Sequence, residues 1–221
     1  ENFNKLKGAL EKHWNNYIIG YSYKTNALPW VIKHFDLLGC YAETVSEDEY
    51  NLAKLIGVEK NHIIYNGPIK TKDSFLEALR EGCVVNIDSQ REIEWLEEIE
   101  IENRRVGVRI NFNIEKLCPG QSQCPEEGGR FGFCYENGEL SKIIKKLQEK
   151  KVKISGIHLH TSSKSRGLDI YRAIAEIACK VQKQFELDLD YVDVGGGFFG
   201  GLSTKPQFDE YIALMESILS T

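Results

Sequence analysis

The chain has 221 residues, with 28 Lys and Arg against 33 Asp and Glu and a formal net charge of −5. That length supports one domain, 1–221, with a large core, and the interspersed charges leave no basic footprint for nucleic acid or an anionic membrane surface. No apolar run approaches a bilayer span, and no signal peptide opens the chain.

The opening ENFNKLKGAL carries a helical pattern without an initiator Met, so the start reads as a cut. Short β-branched or aromatic runs then alternate with amphipathic segments. The runs are YIIGYSY (17–23), CYAETV (40–45), IIYNG (63–67), VVNID (84–88), VGVRINF (106–112), ISGIHLH (154–160) and YVDVGGG (191–197). Ser46 with Glu49, and Ser89 with Glu92, have capping-box spacing and predict helix starts, and Gly57 predicts a helix end. Leu140, Ile143, Ile144 and Leu147 form one apolar stripe, and Ile170, Ile174, Ile177 and Val181 form another. The longest irregular stretch, NIEKLCPGQSQCPEEGGRFGF, follows the fifth run, where a loop of that length usually belongs to a site.

Strand–helix units in series predict a parallel sheet with helical crossovers, either a (β/α)8 barrel or a doubly wound open sheet. Seven runs followed by the helical FDEYIALMESILS favour a barrel cut before its eighth strand. In either architecture ligands bind at the carboxyl ends of the strands.

Six cysteines are present. Cys40, Cys83 and Cys179 sit in apolar segments and read as packed free thiols in a reducing, cytoplasmic setting. Cys118 and Cys124 flank PGQSQ and have the spacing to face each other, as a disulfide or half of a metal site, but no second pair accompanies them.

The unusual polar residues collect at the predicted strand ends: Lys24, Glu43, Asp88 with Ser89, Arg109, His158 with His160, and Asp193 ahead of Gly195, Gly196 and Gly197. A glycine triplet between a strand and a helix lets the backbone approach a ligand and form an anion nest, and in barrels the late loops are the usual phosphate site. A phosphate site facing a strand-end lysine suggests pyridoxal phosphate. Its aldehyde needs an amine that is neutral part of the time, which a partly dry bowl beside other cations provides. His160 is placed to stack on a cofactor ring; a hydrogen-bonded core histidine or a metal ligand are the alternatives, and no third metal ligand is evident. Ser163 is placed to donate to the phosphate.

These segments together resemble the fold-type III pyridoxal-phosphate decarboxylases, which include the diaminopimelate, ornithine, biosynthetic arginine and carboxynorspermidine decarboxylases. YSYKTN is similar to the family's cofactor-lysine segment, ETVSEDE to D-V-V-S-x-x-E, NIDSQRE to V-D-S-x-x-E, VGVRIN to its R-I-N strand and GGRFGF to S-K-F-G-I. GIHLHTSS is similar to G-x-H-x-H-x-G-S and DVGGGFFG to D-x-G-G-G-F. The resemblance implies an alanine racemase-like barrel. Lys24 would form the internal aldimine, His160 would stack on the ring, and Ser163 with Gly195–Gly197 would hold the phosphate. Glu43, Asp88, Arg109 and Asp193 would line the bowl. It implies a small-molecule amino-acid substrate and a homodimeric full-length protein. Ser162 stands where the family has glycine, and Glu43 where it usually has aspartate. The family's E-P-G-R segment on strand eight and its C-terminal β-domain have no counterpart in the chain, so it reads as most of a barrel, inactive alone. A non-catalytic pyridoxal-phosphate barrel or a regulatory paralogue are the competing expectations.

Overall fold

A computed structural model of the chain describes residues 1–98, 105–123 and 130–220. Helix α1 (Asn2–His13) leads into β1 (Gly20–Ser22), a 3-10 turn (Tyr23–Thr25), α2 (Pro29–Leu37), β2 (Tyr41–Ser46), α3 (Glu47–Ile56), β3 (Ile63–Ile69) and α4 (Lys72–Arg80). Then come β4 (Val84–Ile87), α5 (Gln90–Glu97), β5 (Arg105–Asn111), α6 (Ile114–Leu117), β6 (Phe133–Cys134) and α7 (Glu139–Glu149). The chain finishes with β7 (Lys153–His158), α8 (Leu168–Phe185), β8 (Tyr191–Asp193) and α9 (Phe208–Leu219).

All strand pairs are parallel, and the lateral order is β1-β2-β3-β4-β5-β7-β8, with β6 attached to β5. Apart from the two-residue β6, each new strand adds beside the one before it, so the order never reverses. A doubly wound sheet has a reversal at its switch point, and its absence here decides for a barrel wall. Among the described residues β1 and β8 do not pair, and the wall is open between them. No helix among the described residues is long and apolar enough to cross a membrane.

The helices follow the patterns in the sequence. Leu140, Ile143, Ile144 and Leu147 of α7 are all buried, as are Ile170, Ile174, Ile177 and Val181 of α8. The Ser46 side chain accepts from the Glu49 N–H at 3.3 Å, and Gly57 ends α3 at φ +84°. Glu49 does not close that box: its carboxylate reaches one residue further back, to the Val45 N–H at 2.8 Å. Two strand expectations are corrected, and one short strand was not expected. The first run gives only Gly20–Ser22 as strand, because Thr25 Oγ1 donates to the Ser22 carbonyl at 2.7 Å and closes a tight turn. The last run stops at Asp193, because the positive φ of Gly195 (+69°) and Gly197 (+108°) leaves β geometry. The two-residue β6 has no period long enough to announce itself.

Register sets the height of the polar residues. Arg109 on β5 pairs with His158 on β7, and His158 pairs with Asp193 on β8, so the three stand side by side. Ser22 on β1 pairs with Glu43 on β2 across the opposite part of the wall.

Candidate functional site

The interior carries a chain of polar contacts. The Tyr191 hydroxyl donates to Asn86 Oδ1 at 2.8 Å, and Asn86 Nδ2 donates to Asn66 Oδ1 at 2.7 Å. Asn66 Nδ2 is shared between Glu43 Oε1 at 3.1 Å and Asp193 Oδ2 at 3.3 Å. One amide thus joins two carboxylates from strands far apart in sequence. Gly107 and Gly156 make room for the Tyr191 ring: a Cβ on Gly156 would fall 2.1 Å from its Cζ, and one on Gly107 would fall 2.2 Å from its hydroxyl. Asn66, Asn86 and Tyr191 are the residues that the sequence reading missed. The only local signal for them was an amide or phenol among the apolar residues of a strand.

Arg109 and Asp88 form a buried pair, Nη1 to Oδ2 at 2.7 Å. Asp88 Oδ1 accepts from the Gly132 N–H at 2.9 Å. Both oxygens of Asp88 are therefore occupied, which makes it a strut between β5 and the loop before β6 and not a free group lining the bowl. The Arg109 guanidinium carbon also lies 5.1 Å from the centre of the Phe131 ring. A second buried pair stands behind the first: Lys70 Nζ to Glu92 Oε1 at 2.6 Å, with Lys70 also donating to the Gly67 and Asn86 carbonyls. Glu92 Oε2 accepts from the N–H groups of Asp88 and Ser89 at 2.9 and 2.8 Å. The capping box at the start of α5 is thus tied to a buried lysine and fixes the backbone at Asp88.

His158 is buried, with Nε2 3.9 Å from Asp193 Oδ2 and Nδ1 without a partner. Burial, and then the charge of Arg109, lowers its pKa well below the usual histidine range, against the opposing pull of Asp88. His160 lies two residues past it, its ring centre 6.4 Å away. Burial, and then Lys24, His158 and Arg109, pushes the His160 pKa down to about 3, with Asp193 opposing. Both imidazoles are neutral at ordinary pH.

Lys24 stands on the 3-10 turn with an exposed side chain, not at a strand end in a partly dry bowl. The reason is local. Tyr23 takes the buried direction, and the next residue of so tight a turn faces out. Its ammonium still acts on both histidines, which puts it on the same rim.

Ser163 is buried, and its Oγ accepts from the Arg166 N–H at 3.2 Å, which leaves the hydroxyl proton free to donate. The Gly195 N–H donates to Asp193 Oδ1 at 2.9 Å, and the Gly196 N–H faces His160 Nδ1 at 3.5 Å. Among the described residues the Gly197 N–H has no partner. The late loops therefore present an unpaired N–H and a free hydroxyl proton, the donor set of an anion cup. Cys118 is buried with its Sγ 3.5 Å from the Asp169 carbonyl; Cys124, and the first two glycines of GGRFGF, lie outside the described residues. No cluster of three metal-ligating side chains exists among the described residues.

An anion cup, a neutral imidazole and a primary amine around one rim is the arrangement on which comparison with known proteins bears. The model of the family "Pyridoxal-dependent decarboxylase, pyridoxal binding domain" matches residues 1–220. The chain belongs to this family. The diaminopimelate decarboxylase of Methanocaldococcus jannaschii is 27% identical over 234 residues, covering 100% of this chain and 53% of that protein. The diaminopimelate decarboxylase of Aquifex aeolicus is 28% identical over 210 residues, covering 91% of this chain and 49% of that protein. The crystal structure of the M. jannaschii enzyme in complex with L-lysine superposes with a TM-score of 0.81 at 25% identity, covering 99% of this chain and 54% of that one. The chain thus spans about half the length of the curated relatives it matches. Pyridoxal phosphate is the cofactor of a pyridoxal-binding domain, and the residues here fit it. Unpartnered donors are available for its phosphate, a neutral imidazole for its ring, and an exposed amine for its aldehyde.

Proposed function

We propose that the intact protein is a pyridoxal-phosphate-dependent decarboxylase of a basic or diamino amino acid, with this chain as its cofactor-binding barrel. The observation that carries the reading is His160, its Nδ1 facing the Gly196 N–H of the glycine turn, neutral and within electrostatic reach of Lys24. meso-Diaminopimelate is the first substrate candidate, supported by relatives named for that activity. Carboxynorspermidine, ornithine and arginine follow.

The chemistry that pyridoxal phosphate supplies when bound is an electron-accepting ring for the pair left on the substrate's α-carbon when carbon dioxide departs. The residues of this chain do the holding. Lys24 would hold the cofactor through its amine, on an exposed turn that a substrate amine can also reach. His160 presents a flat, uncharged face, so it supports a ring without competing with the electron-accepting role of that ring. Glu43 and Asp193 are held by one amide of Asn66, which keeps two negative charges on the interior side of the bowl. The Gly197 N–H and the Ser163 hydroxyl would hold the cofactor's phosphate.

The exposure of Lys24 also suits a pyridoxal-phosphate-binding barrel without decarboxylase activity. One assay separates the two: carbon dioxide release by the intact protein from diaminopimelate, carboxynorspermidine, ornithine and arginine. Release from one of them, dependent on pyridoxal phosphate and lost in Lys24→Ala, supports the enzyme. Tight cofactor binding with no release from any supports the carrier.

A further inference from the structure

The loop between β7 and α8 carries an arginine held in an unusual way. Arg166 has φ +50°, the left-handed region that a non-glycine residue seldom occupies. Its N–H donates to Ser163 Oγ at 3.2 Å, and its carbonyl accepts from the Tyr211 hydroxyl at 2.6 Å. Tyr211 is fully buried on α9, so the backbone at Arg166 is fixed from both sides. The side chain then lies along the glycine turn. A Cβ on Gly197 would fall 3.4 Å from both Cδ and Nε of Arg166, and 3.6 Å from Cζ. Among the described residues no carboxylate pairs with this guanidinium. An unpaired cation therefore lies against Gly197, whose N–H is also unpaired, and shares its loop with the free hydroxyl proton of Ser163.

We propose that Arg166 is a phosphate-binding residue of this site, its guanidinium meeting the phosphate dianion of pyridoxal phosphate together with the Gly197 N–H and the Ser163 hydroxyl; the proposal rests on the pyridoxal-phosphate reading of the bowl. A guanidinium suits the task because its planar fork pairs with two phosphate oxygens at once and stays charged at any working pH. The backbone explains why this arginine and not its neighbour is in place. The N–H of Arg166 orients Ser163, and its side chain brings the charge, so one residue arranges both donors. Lys164, two positions earlier, is exposed and its charge acts on Glu115 instead.

The test is equilibrium titration of the intact protein with pyridoxal 5′-phosphate and, separately, with pyridoxal, which lacks the phosphate. The variants are Arg166→Gln, Arg166→Lys and, as a charge-matched control, Lys164→Gln. Arg166→Gln weakens pyridoxal phosphate binding about tenfold or more, the loss expected for a hydrogen bond to a charged group, and leaves pyridoxal binding unchanged. Arg166→Lys recovers part of the loss, and Lys164→Gln has less than about a twofold effect. If Arg166→Gln binds pyridoxal phosphate as tightly as the wild type, the role of Arg166 is wrong and the site still stands. Equal weakening for both ligands means a structural role only and also overturns the proposal. If the wild type does not bind pyridoxal phosphate, the reading of the bowl fails, and the proposal with it.

Discussion

A Cβ on Gly195 would lie 2.5 Å from Nδ1 of His160. The two residues come from different loops, and the absence of a side chain on one sets the plane of the other. Gly195 also sits at φ +69°, which costs any other residue. Gly195→Ala should therefore displace the His160 ring and weaken pyridoxal phosphate binding at least about tenfold, because a misplaced ring loses its stacking contact. Gly196→Ala is the control, since nothing lies within 4 Å of its Cβ position. It should bind within about twofold of the wild type. Titration of both variants with the cofactor decides it, and equal effects would count against the His160 role.

The buried Lys70–Glu92 pair makes a prediction about stability. Lys70→Met leaves the Glu92 carboxylate buried without its cation, and removal of one partner of such a pair costs about 3–5 kcal/mol. The double variant Lys70→Met/Glu92→Gln removes the stranded charge and keeps an oxygen for the Asp88 and Ser89 N–H groups. It should recover more than half of the loss. Urea midpoints for the wild type and the two variants check this, and a double variant no more stable than Lys70→Met would show that no stranded charge was left.

The two neutral histidines predict a pH dependence. An unfolded histidine takes up its proton near pH 6.5, whereas His160 in the folded chain holds off until about 3. Between those values the unfolded state binds more protons, so stability is present above about 6.5 and is lost as pH falls toward 3. His158 is shifted in the same direction and adds to the slope. The expected slope is at most about 1.4 kcal/mol per pH unit for each histidine. His160→Asn should remove its share between pH 6.5 and 5, a window above most carboxylate titrations. Denaturant unfolding across that window measures it, and an unchanged slope in the variant would mean that the fold does not hold His160 as a neutral ring.

Much of the fold was legible because parallel barrel strands are short, apolar and separated by stripes of helical period. The stripes of α7 and α8 fell where the spacing put them, and the choice between barrel and open sheet needed only the lateral order. The site was legible in composition more than in role. Arg109, His158 and Asp193 do share one level of the wall, but Asp88 is spent on Arg109 and Gly132, a pairing that local spacing does not show. Lys24 reads as a strand-end residue because YIIGYSY is rich in β-branched and aromatic residues; the hydroxyl of Thr25 turns the chain one residue earlier. Lys70 lies in an ordinary helix-preceding segment, and the charge that balances it in the interior is Glu92, 22 residues away. Pairs of this kind belong to tertiary structure, and no period in the sequence reports them.

The central claim is that Lys24 meets the cofactor on the rim beside His160. The direct measurement is the visible absorbance of the intact protein with pyridoxal phosphate, before and after borohydride reduction, with peptide mapping of the label and Lys24→Ala in parallel. The account predicts an absorbance band that borohydride removes, a label fixed on Lys24, and neither in the variant. A label on another lysine, or a band that survives in Lys24→Ala, would contradict it.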